Sequence, residues 1–340
     1  MAIPHAKPLT IDPSIISSIG NLPLMELDDP LIKKRVRGVY ALDVSHNPAL
    51  SIKDVMARQM VMDAIEEGYI IPGKTIVAEA TSGNTGAGLA LMGAFYATPT
   101  ILVVPSKVSK EKMERLRDFG AHVIVAPTNV LPNDPHSYYS IRDYLGTKND
   151  VWVPQQYDNL SNTKAHYLST GPHIWERTKG KVTAVIIPTG TSGTITGIGR
   201  YLKERNRNIK VIGVDTIGSI LYLLKQGYSL DQVQQYAHSY DIQGFGEDIF
   251  PKNLDLSVID KYIRISDMTG LTMTRILPSL GVFQGQSSGA SYAALLEALD
   301  TNYLTAKDVV VVMFPDMAIP YRMDVFNDSW MKEKKFPINY

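Results

Sequence analysis

Apolar and polar residues follow two different periods along this chain, and the two periods alternate. Short, mostly apolar runs such as 75–80 and 122–126 are typical of strands. Between such runs lie proline-free segments with apolar residues every three to four positions, as in 51–68, which are typical of helices. The alternation predicts an α/β fold of parallel strands connected by right-handed crossovers.

The predicted elements fill most of the chain without a repeat or a linker. The predicted strands are 36–44, 75–80, 101–104, 122–126, 151–153, 182–187, 211–215, 262–265 and 309–314. The predicted helices are 51–68, 87–94, 109–119, 138–145, 166–177, 196–203, 220–226, 269–280 and 292–299, and a turn of small residues is predicted at 285–290.

Composition narrows the classes of function. The 340 residues are 44% hydrophobic, which is enough for a large, two-lobed core. Lys and Arg together number 34, as do Asp and Glu, so no global field favours nucleic acid or an anionic membrane, and a small-molecule partner is expected. The chain has no cysteine, which excludes a disulfide framework, a zinc-thiolate site and a cysteine nucleophile.

Targeting and metal signals do not change this picture. The first residues lack the apolar stretch of a secretory signal and no run approaches a membrane span, so a cytoplasmic protein is expected. The seven histidines show no HExxH spacing or clustered carboxylates, so no metal site is expected.

Two turns rich in hydroxyls and glycine stand between a strand and a helix. They are the segments 81–86 (TSGNTG) and 189–194 (TGTSGT). Such a turn at a helix N-terminus presents unpaired backbone N–H groups and the positive end of the helix dipole, which suits an anion. For one isolated turn, simple capping by Ser82 or Asn84 would be the commoner explanation. Two such turns together predict a small ligand with two anionic ends.

The second turn also allows a dinucleotide interpretation. Asp215 ends the next strand about 20 residues later, where a ribose-binding acid belongs. The glycine fingerprint is incomplete, however, because Ser192 occupies the position of its second glycine, and no Walker lysine follows either.

Five ordered motifs in this chain resemble those of one enzyme family. NPALSIKD at 47–54, the first turn at 81–86, QYDN at 156–159, GTSGT at 190–194 and SSGA at 287–290 follow the order seen in fold-type II pyridoxal-phosphate enzymes of the cysteine synthase and cystathionine β-synthase group. The resemblance covers roughly 19–331, and the segments 133–140 and 244–248 are closer to the cystathionine β-synthase branch.

The resemblance implies a role for each candidate residue. By pattern alone Lys53 is a lysine in the first turn of a helix, where most lysines are solvated. By resemblance it forms the internal Schiff base with pyridoxal phosphate and then removes the substrate α-proton. Asn84 is expected to contact the ring oxygen of the cofactor. The cofactor phosphate is assigned to Gly190, Thr191, Ser192, Gly193 and Thr194, and the substrate carboxylate to Thr81, Ser82, Thr85 and Gln156.

The implied fold is two-lobed and similar to the tryptophan synthase β-subunit, with a mostly parallel twisted sheet flanked by helices in each lobe. The smaller, substrate-closing lobe is expected at 47–154, and the larger, cofactor-binding lobe at 10–46 plus 155–335. A homodimer is expected from the family.

The implied chemistry is β-replacement on serine or on O-acetyl- or O-phosphoserine. Loss of the β-substituent leaves an aminoacrylate, to which a thiol or sulfide adds, as in cystathionine or cysteine synthesis. The alternatives are an enzyme that uses an amine nucleophile to make a diaminopropionate-type amino acid, a dinucleotide-dependent oxidoreductase, and a family member that has lost catalysis.

The chain departs from the family pattern at three places. Ala49 and Leu50 stand where the family often has two glycines, and Val55 stands where it often has Arg. Near the end of the chain, either Asp316 or Met317 takes the place of the serine that contacts the pyridine nitrogen. Asp would favour a protonated ring, whereas Met offers no useful hydrogen bond. Asp316 could equally be a loop residue without a role.

Overall fold

The computed structural model describes residues 15–81, 83–131 and 134–338, and it contains two separate sheets. One sheet has six strands in the order β1-β2-β10-β7-β8-β9, all parallel except that β1 runs antiparallel to β2. The other has four parallel strands in the order β5-β4-β3-β6. The strands are β1 Leu24–Glu26, β2 Gly38–Asp43, β3 Ile76–Ala80, β4 Thr100–Pro105, β5 His122–Ala126, β6 Val151–Trp152, β7 Ala184–Pro188, β8 Lys210–Thr216, β9 Lys261–Ile265 and β10 Val309–Phe314.

Helices connect the strands and cover the sheets. The α-helices are α1 Ile15–Ser18, α2 Lys53–Glu66, α3 Asn84–Phe95, α4 Lys110–Asp118, α5 Tyr138–Gly146, α6 Ser161–Ala165, α7 Gly171–Arg177, α8 Gly193–Arg205, α9 Leu221–Lys225, α10 Leu230–Gln234, α11 Asp267–Ile276, α12 Gln286–Asp300 and α13 Asp328–Glu333. A π-helical turn, His166–Thr170, joins α6 to α7, and short 3₁₀ turns occur at Leu256–Val258, Leu277–Leu280 and Ile319–Tyr321.

The predicted fold class is confirmed, since both sheets are mostly parallel and flanked by helices. Alternation along a strand divides the large core: Val185 and Ile187 of β7 face one apolar cluster, whereas Ala184 and Ile186 face the other. The lobe boundaries at 47–154 and 155–335 stay a prediction, and residues 10–14 of the predicted larger lobe lie outside the described residues.

Some predicted elements differ from the observed ones at their ends. The predicted turn at 285–290 is wrong from Gln286 onward, because α12 begins there. The helix predicted at 196–203 begins earlier, at Gly193, and the helix predicted at 166–177 is three pieces that start at Ser161. The short elements β1, α10 and α13 were not predicted, since three to six residues carry too little periodic signal.

The parallel arrangement positions the two turns. The first turn follows the carboxyl end of β3, and the second follows the carboxyl end of β7, which is where α/β sheets place their ligands. In the described ranges, no helix combines the length and apolarity that crossing a membrane requires.

Candidate active site

A pocket lies between the start of α2 and the second turn. Its walls include Lys53, Gly190, Ser192, Thr194 and Gly244. The start of α2 is tied to the segment after β10, because the Ile52 N–H donates to the Pro315 carbonyl at 2.8 Å. Lys53, which was predicted from the α2 motif, therefore faces residues from three distant parts of the chain.

Lys53 is the first residue of α2, and its side chain is in an unusual environment for a lysine. Burial lowers the pKa of its ammonium, against the opposing attraction of Glu247 and Asp316. A lowered pKa favours the neutral amine, which is the form that acts as a nucleophile or a base.

The second turn contains a strained residue and an uncapped helix end. Ser192 has φ of 69°, in the left-handed region, and its hydroxyl donates to the Gly190 carbonyl at 3.0 Å. The first residue of α8 is Gly193, and no side chain of the described residues caps the helix. The backbone N–H groups at the start of α8 therefore face the pocket with the positive end of the helix dipole.

Asn162 supports the second turn from behind. Its Nδ2 donates to Thr191 Oγ1 at 2.9 Å and to the Gln156 carbonyl at 3.0 Å. A Cβ on Gly193 would lie 2.1 Å from Asn162 Oδ1, so only glycine allows this approach. The Asn162 side chain thus connects the two segments that were predicted to hold the two anionic ends of the ligand.

A buried histidine holds the last hydroxyl of the turn. His166 Nε2 lies 3.1 Å from Thr194 Oγ1, and its Nδ1 lies 3.0 Å from Thr170 Oγ1. Burial, with a smaller contribution from Lys53, lowers the pKa of His166 to about 3. The imidazole is therefore neutral and fixes the Thr194 hydroxyl by hydrogen bonding alone.

The first turn also leads into an uncapped helix. Gly83 precedes α3 without a capping side chain, whereas α4, α5 and α11 each begin with a serine whose hydroxyl accepts a backbone N–H. The capping interpretation does not apply to Asn84, which is the first residue of α3 and points its side chain elsewhere. Ser82 lies outside the described residues.

Two of the residues predicted to bind the substrate carboxylate contact each other at the first turn. Thr85 Oγ1 donates to Gln156 Oε1 at 2.7 Å, and both side chains are buried. Thr81 is buried in the same turn, and its Oγ1 accepts the Gly83 N–H at 3.3 Å. The structure therefore brings Thr85 and Gln156 into contact and places Thr81 in the turn that precedes Thr85.

Asp316 and Met317 have different surroundings. Asp316 is buried and accepts hydrogen bonds from Asn84 Nδ2 at 2.6 Å and from the Tyr321 hydroxyl. Its Oδ1 is buried without a hydrogen-bond partner in the described part of the chain, and burial raises the pKa of this carboxyl. Met317 is only partly buried, and its sulfur contacts Gln284 Nε2 at 3.4 Å.

Several residues of the site were not predicted. Asn162 and His166 support the second turn from α6 and the π-helical turn, and Arg115 Nη1 on α4 donates to Asn84 Oδ1 at 3.1 Å. Glu247 lies near Lys53 in the segment that marked the resemblance to one branch of the family. That segment was a usable signal, but nothing near Asn162 or Arg115 in the sequence indicates a role.

The assembled site contains a desolvated amine in a pocket with the uncapped start of α8, and Asn162 connects that turn to Gln156, which contacts Thr85 at the uncapped start of α3. Such an arrangement can bind a ligand with two anionic groups and attack or deprotonate a carbon between them. In the dinucleotide interpretation Asp215 would bind a ribose, but its two oxygens accept the backbone N–H groups of Thr216 and Tyr222 at 2.9 and 2.7 Å.

Comparisons with known proteins agree on one family. The family model described as "Pyridoxal-phosphate dependent enzyme" matches residues 15–316. Cystathionine beta-synthase of Saccharomyces cerevisiae is 35% identical over 329 residues, or 94% of this chain, and the chain spans only 64% of that protein. Cysteine synthase 3 of Caenorhabditis elegans is 37% identical, with 82% of this chain and 80% of that protein covered. The crystal structure of O-ureido-L-serine synthase aligns with a TM-score of 0.83 at 26% identity, over 95% of this chain and 99% of that chain.

Proposed function

The chain belongs to the pyridoxal-phosphate-dependent enzymes of the cystathionine β-synthase and cysteine synthase type, and from this premise we propose that it catalyses β-replacement on serine or an O-activated serine. The second substrate is a thiol or sulfide. The observation that best supports this proposal is the position of the Lys53 amine. It has a lowered pKa and lies in a pocket with the uncapped start of α8.

The residues present fit pyridoxal phosphate. Lys53 would hold it through its amine, and the segment 190–194 would hold its phosphate, since α8 has no capping side chain and Gly193 leaves no room for a Cβ. Asn84 and Asp316 would contact the ring; the unpartnered Asp316 Oδ1 is a buried acceptor that suits a protonated ring nitrogen. When bound, the cofactor supplies an electron sink for the α-carbon of an amino acid.

The chain's own residues supply orientation and proton transfer. Thr81, Ser82, Thr85 and Gln156 would hold the substrate carboxylate, and the Thr85 hydroxyl, by donating to Gln156 Oε1, would orient the Gln156 amide N–H groups for that purpose. The Lys53 amine would take the α-proton and later return it, because burial lowers its pKa and so favours the neutral amine, which is the form that acts as a base.

Product analysis tests this proposal. Serine, O-acetylserine and O-phosphoserine would each be incubated with hydrosulfide or homocysteine, and the products identified by mass spectrometry. We expect one donor to give cysteine or cystathionine. If no donor gives a product with any thiol, the sulfur assignment is wrong.

An amine nucleophile is the second candidate, and one backbone feature favours an altered pocket. Leu50 has φ of 60° at a position where the family often has glycine, so a bulky residue is kept there in a strained conformation. Paired reactions with a thiol and an amine, each with the same donor, would separate the two candidates by their products.

We further propose closure of a smaller lobe at 47–154 on substrate binding and assembly as a homodimer, both on family grounds. Light scattering after size-exclusion chromatography measures the assembly; a mass near 37.6 kDa would indicate a monomer and contradict it. Cytoplasmic localisation stays a prediction.

A further inference from the structure

Glu247 is an acid beside the site to which the roles above give no function. Its carboxylate oxygen Oε1 would lie 3.4 Å from a Cβ on Gly190, in the turn that lines the pocket. The loop that carries it is fixed to that turn, because the Gly246 N–H donates to the Thr189 carbonyl at 2.7 Å. The backbone of Glu247 is held as well, by the Ser219 hydroxyl at 2.9 and 3.0 Å. Glu247 is therefore a positioned side chain.

Charged and titratable groups surround the carboxyl of Glu247 on several elements. Lys53 attracts the carboxylate, Asp248 and Asp215 add negative charge, and the Tyr157 hydroxyl is close enough to stabilise the carboxylate. Three further tyrosines, Tyr138, Tyr139 and Tyr240, interact with it electrostatically. Because burial raises the pKa of Tyr157 well above its usual value, Tyr157 keeps its proton and can donate to the carboxylate form of Glu247.

We infer that Glu247 accepts the proton of the second substrate when that substrate adds to the amino acid, and that Tyr157 orients it for this step. The inference rests on the proposed β-replacement. Lys53 is assigned to the α-proton, so the proton of the nucleophile needs a different acceptor. The second substrate would then be a neutral, proton-bearing nucleophile, a thiol or an amine, rather than an anion.

The step balances without an added oxidant or reductant. The lone pair of the nucleophile forms the new bond to the β-carbon, and the bond between the nucleophile and its hydrogen breaks. That proton passes to a carboxylate oxygen of Glu247. The electron pair displaced from the β-carbon ends in the α-carbon–hydrogen bond, for which Lys53 supplies the proton. Because Glu247 is only partly buried, its proton can leave to solvent before the next turnover.

The electrostatics agree with this assignment. Burial and the neighbouring Asp248 raise the pKa of Glu247 to about 8, against the hydrogen bond from Tyr157 and the attraction of Lys53. A group with a pKa near the working pH accepts and releases protons most effectively.

The test compares Glu247→Gln with the wild-type holoenzyme in each half of the reaction. The spectral change on adding the amino-acid donor should be the same in both proteins. The reversal of that change is then followed near pH 8.5, where Glu247 is mostly a carboxylate and 2-mercaptoethanol is still mostly neutral, with 2-mercaptoethanol and with the more acidic thiophenol. We expect Glu247→Gln to slow the reversal on the order of 100-fold with 2-mercaptoethanol and less than about threefold with thiophenol. Equal slowing with both thiols, or no slowing, would overturn the inference.

Two further measurements separate proton transfer from a structural role. Glu247→Asp should recover part of the lost rate, whereas no recovery in a variant of wild-type thermal stability would count against a proton acceptor. In infrared spectra without substrate, the carbonyl band of a protonated carboxyl should disappear as the pH rises through about 8, and it should be absent in Glu247→Gln. If the wild-type enzyme gives no product with any thiol or amine, the proposed function fails; if it gives product with both thiols and the variant behaves identically, only the role of Glu247 fails.

Discussion

Replacing Gly193 by alanine tests the construction of the second turn most sharply. Gly193 does not have a positive φ, so the backbone tolerates alanine, and at the start of a helix alanine alone would add up to about 1 kcal/mol of stability. The new Cβ would, however, lie 2.1 Å from Oδ1 and 2.3 Å from Cγ of Asn162. Asn162 is fully buried and has no open space into which to move.

The magnitude follows from this clash and from the contacts of Asn162. Overpacking costs about 1–3 kcal/mol, and displacement of Asn162 breaks two buried hydrogen bonds worth about 1 kcal/mol each. After subtraction of the gain in helix propensity, the expected loss is about 2–4 kcal/mol. This loss should appear in the free energy of unfolding of the cofactor-free protein, and a further loss should appear in the affinity for pyridoxal phosphate.

Urea denaturation and absorbance titration with pyridoxal phosphate measure the two losses. Asn162→Ala is the matched variant, because it removes the atoms that the Cβ meets. When Gly193→Ala is added to the Asn162→Ala protein, it should change the free energy of unfolding very little. The two substitutions should therefore show a coupling energy of at least about 1 kcal/mol. A Gly193→Ala protein with wild-type stability and affinity would refute this reasoning, as would a double variant in which the two losses simply add.

Two further predictions concern buried charges. Lys112 lies 3.3 Å from Asp324 with both side chains nearly buried, so Lys112→Met should lower the free energy of unfolding in urea by about 3–5 kcal/mol. Lys110→Met, at an exposed pair 3.9 Å long, should change it by less than about 0.5 kcal/mol, and equal losses would contradict the assignment. His166, whose pKa is lowered to about 3, binds protons only in the unfolded chain between pH 6.5 and about 3. The contribution of His166 to the free energy of unfolding is therefore complete above pH 6.5. As the pH falls below 6.5 this contribution declines, and the loss is roughly 2 kcal/mol at pH 5. His166→Gln should remove this loss of stability at low pH, whereas substitution of an exposed histidine, His122→Gln, should not. If the free energy of unfolding depends on pH in the same way in the wild type and in His166→Gln, the assignment to His166 is wrong.

The sequence predicted those elements whose signal is local. The strands at 122–126 and 309–314 have the predicted bounds, because each is a short run of mostly apolar residues, rich in valine and isoleucine, between turns. The start of α12 was missed because Gly289 and its small neighbours are typical of a turn. In the structure they allow a close helix contact, since a Cβ on Gly289 would meet Thr274 Oγ1 at 2.2 Å. That requirement comes from α11 and has no local signature.

The residues of the site also fall into those with a local signal in the sequence and those without one. Lys53, the two turns and Gln156 belong to motifs of consecutive residues, so the sequence indicated them, and the structure brings the described ones together. Asn162 and Arg115 act through partners 29 and 31 residues away along the chain, and a single sequence does not show such pairs. Asp316 was predicted only as an alternative to Met317, since the sequence does not show its contact with Asn84, which lies 232 residues away along the chain.

The absorption spectrum of the purified protein tests the central claim most directly. It would be recorded before and after addition of serine, O-acetylserine and O-phosphoserine, for the wild type, for Lys53→Ala and for the exposed control Lys110→Ala. The account predicts a band near the visible edge that is present in the wild type and Lys110→Ala, is lost in Lys53→Ala, and shifts with one of the three donors. A band that persists in Lys53→Ala, or a protein that stays colourless when supplied with pyridoxal phosphate, would contradict it.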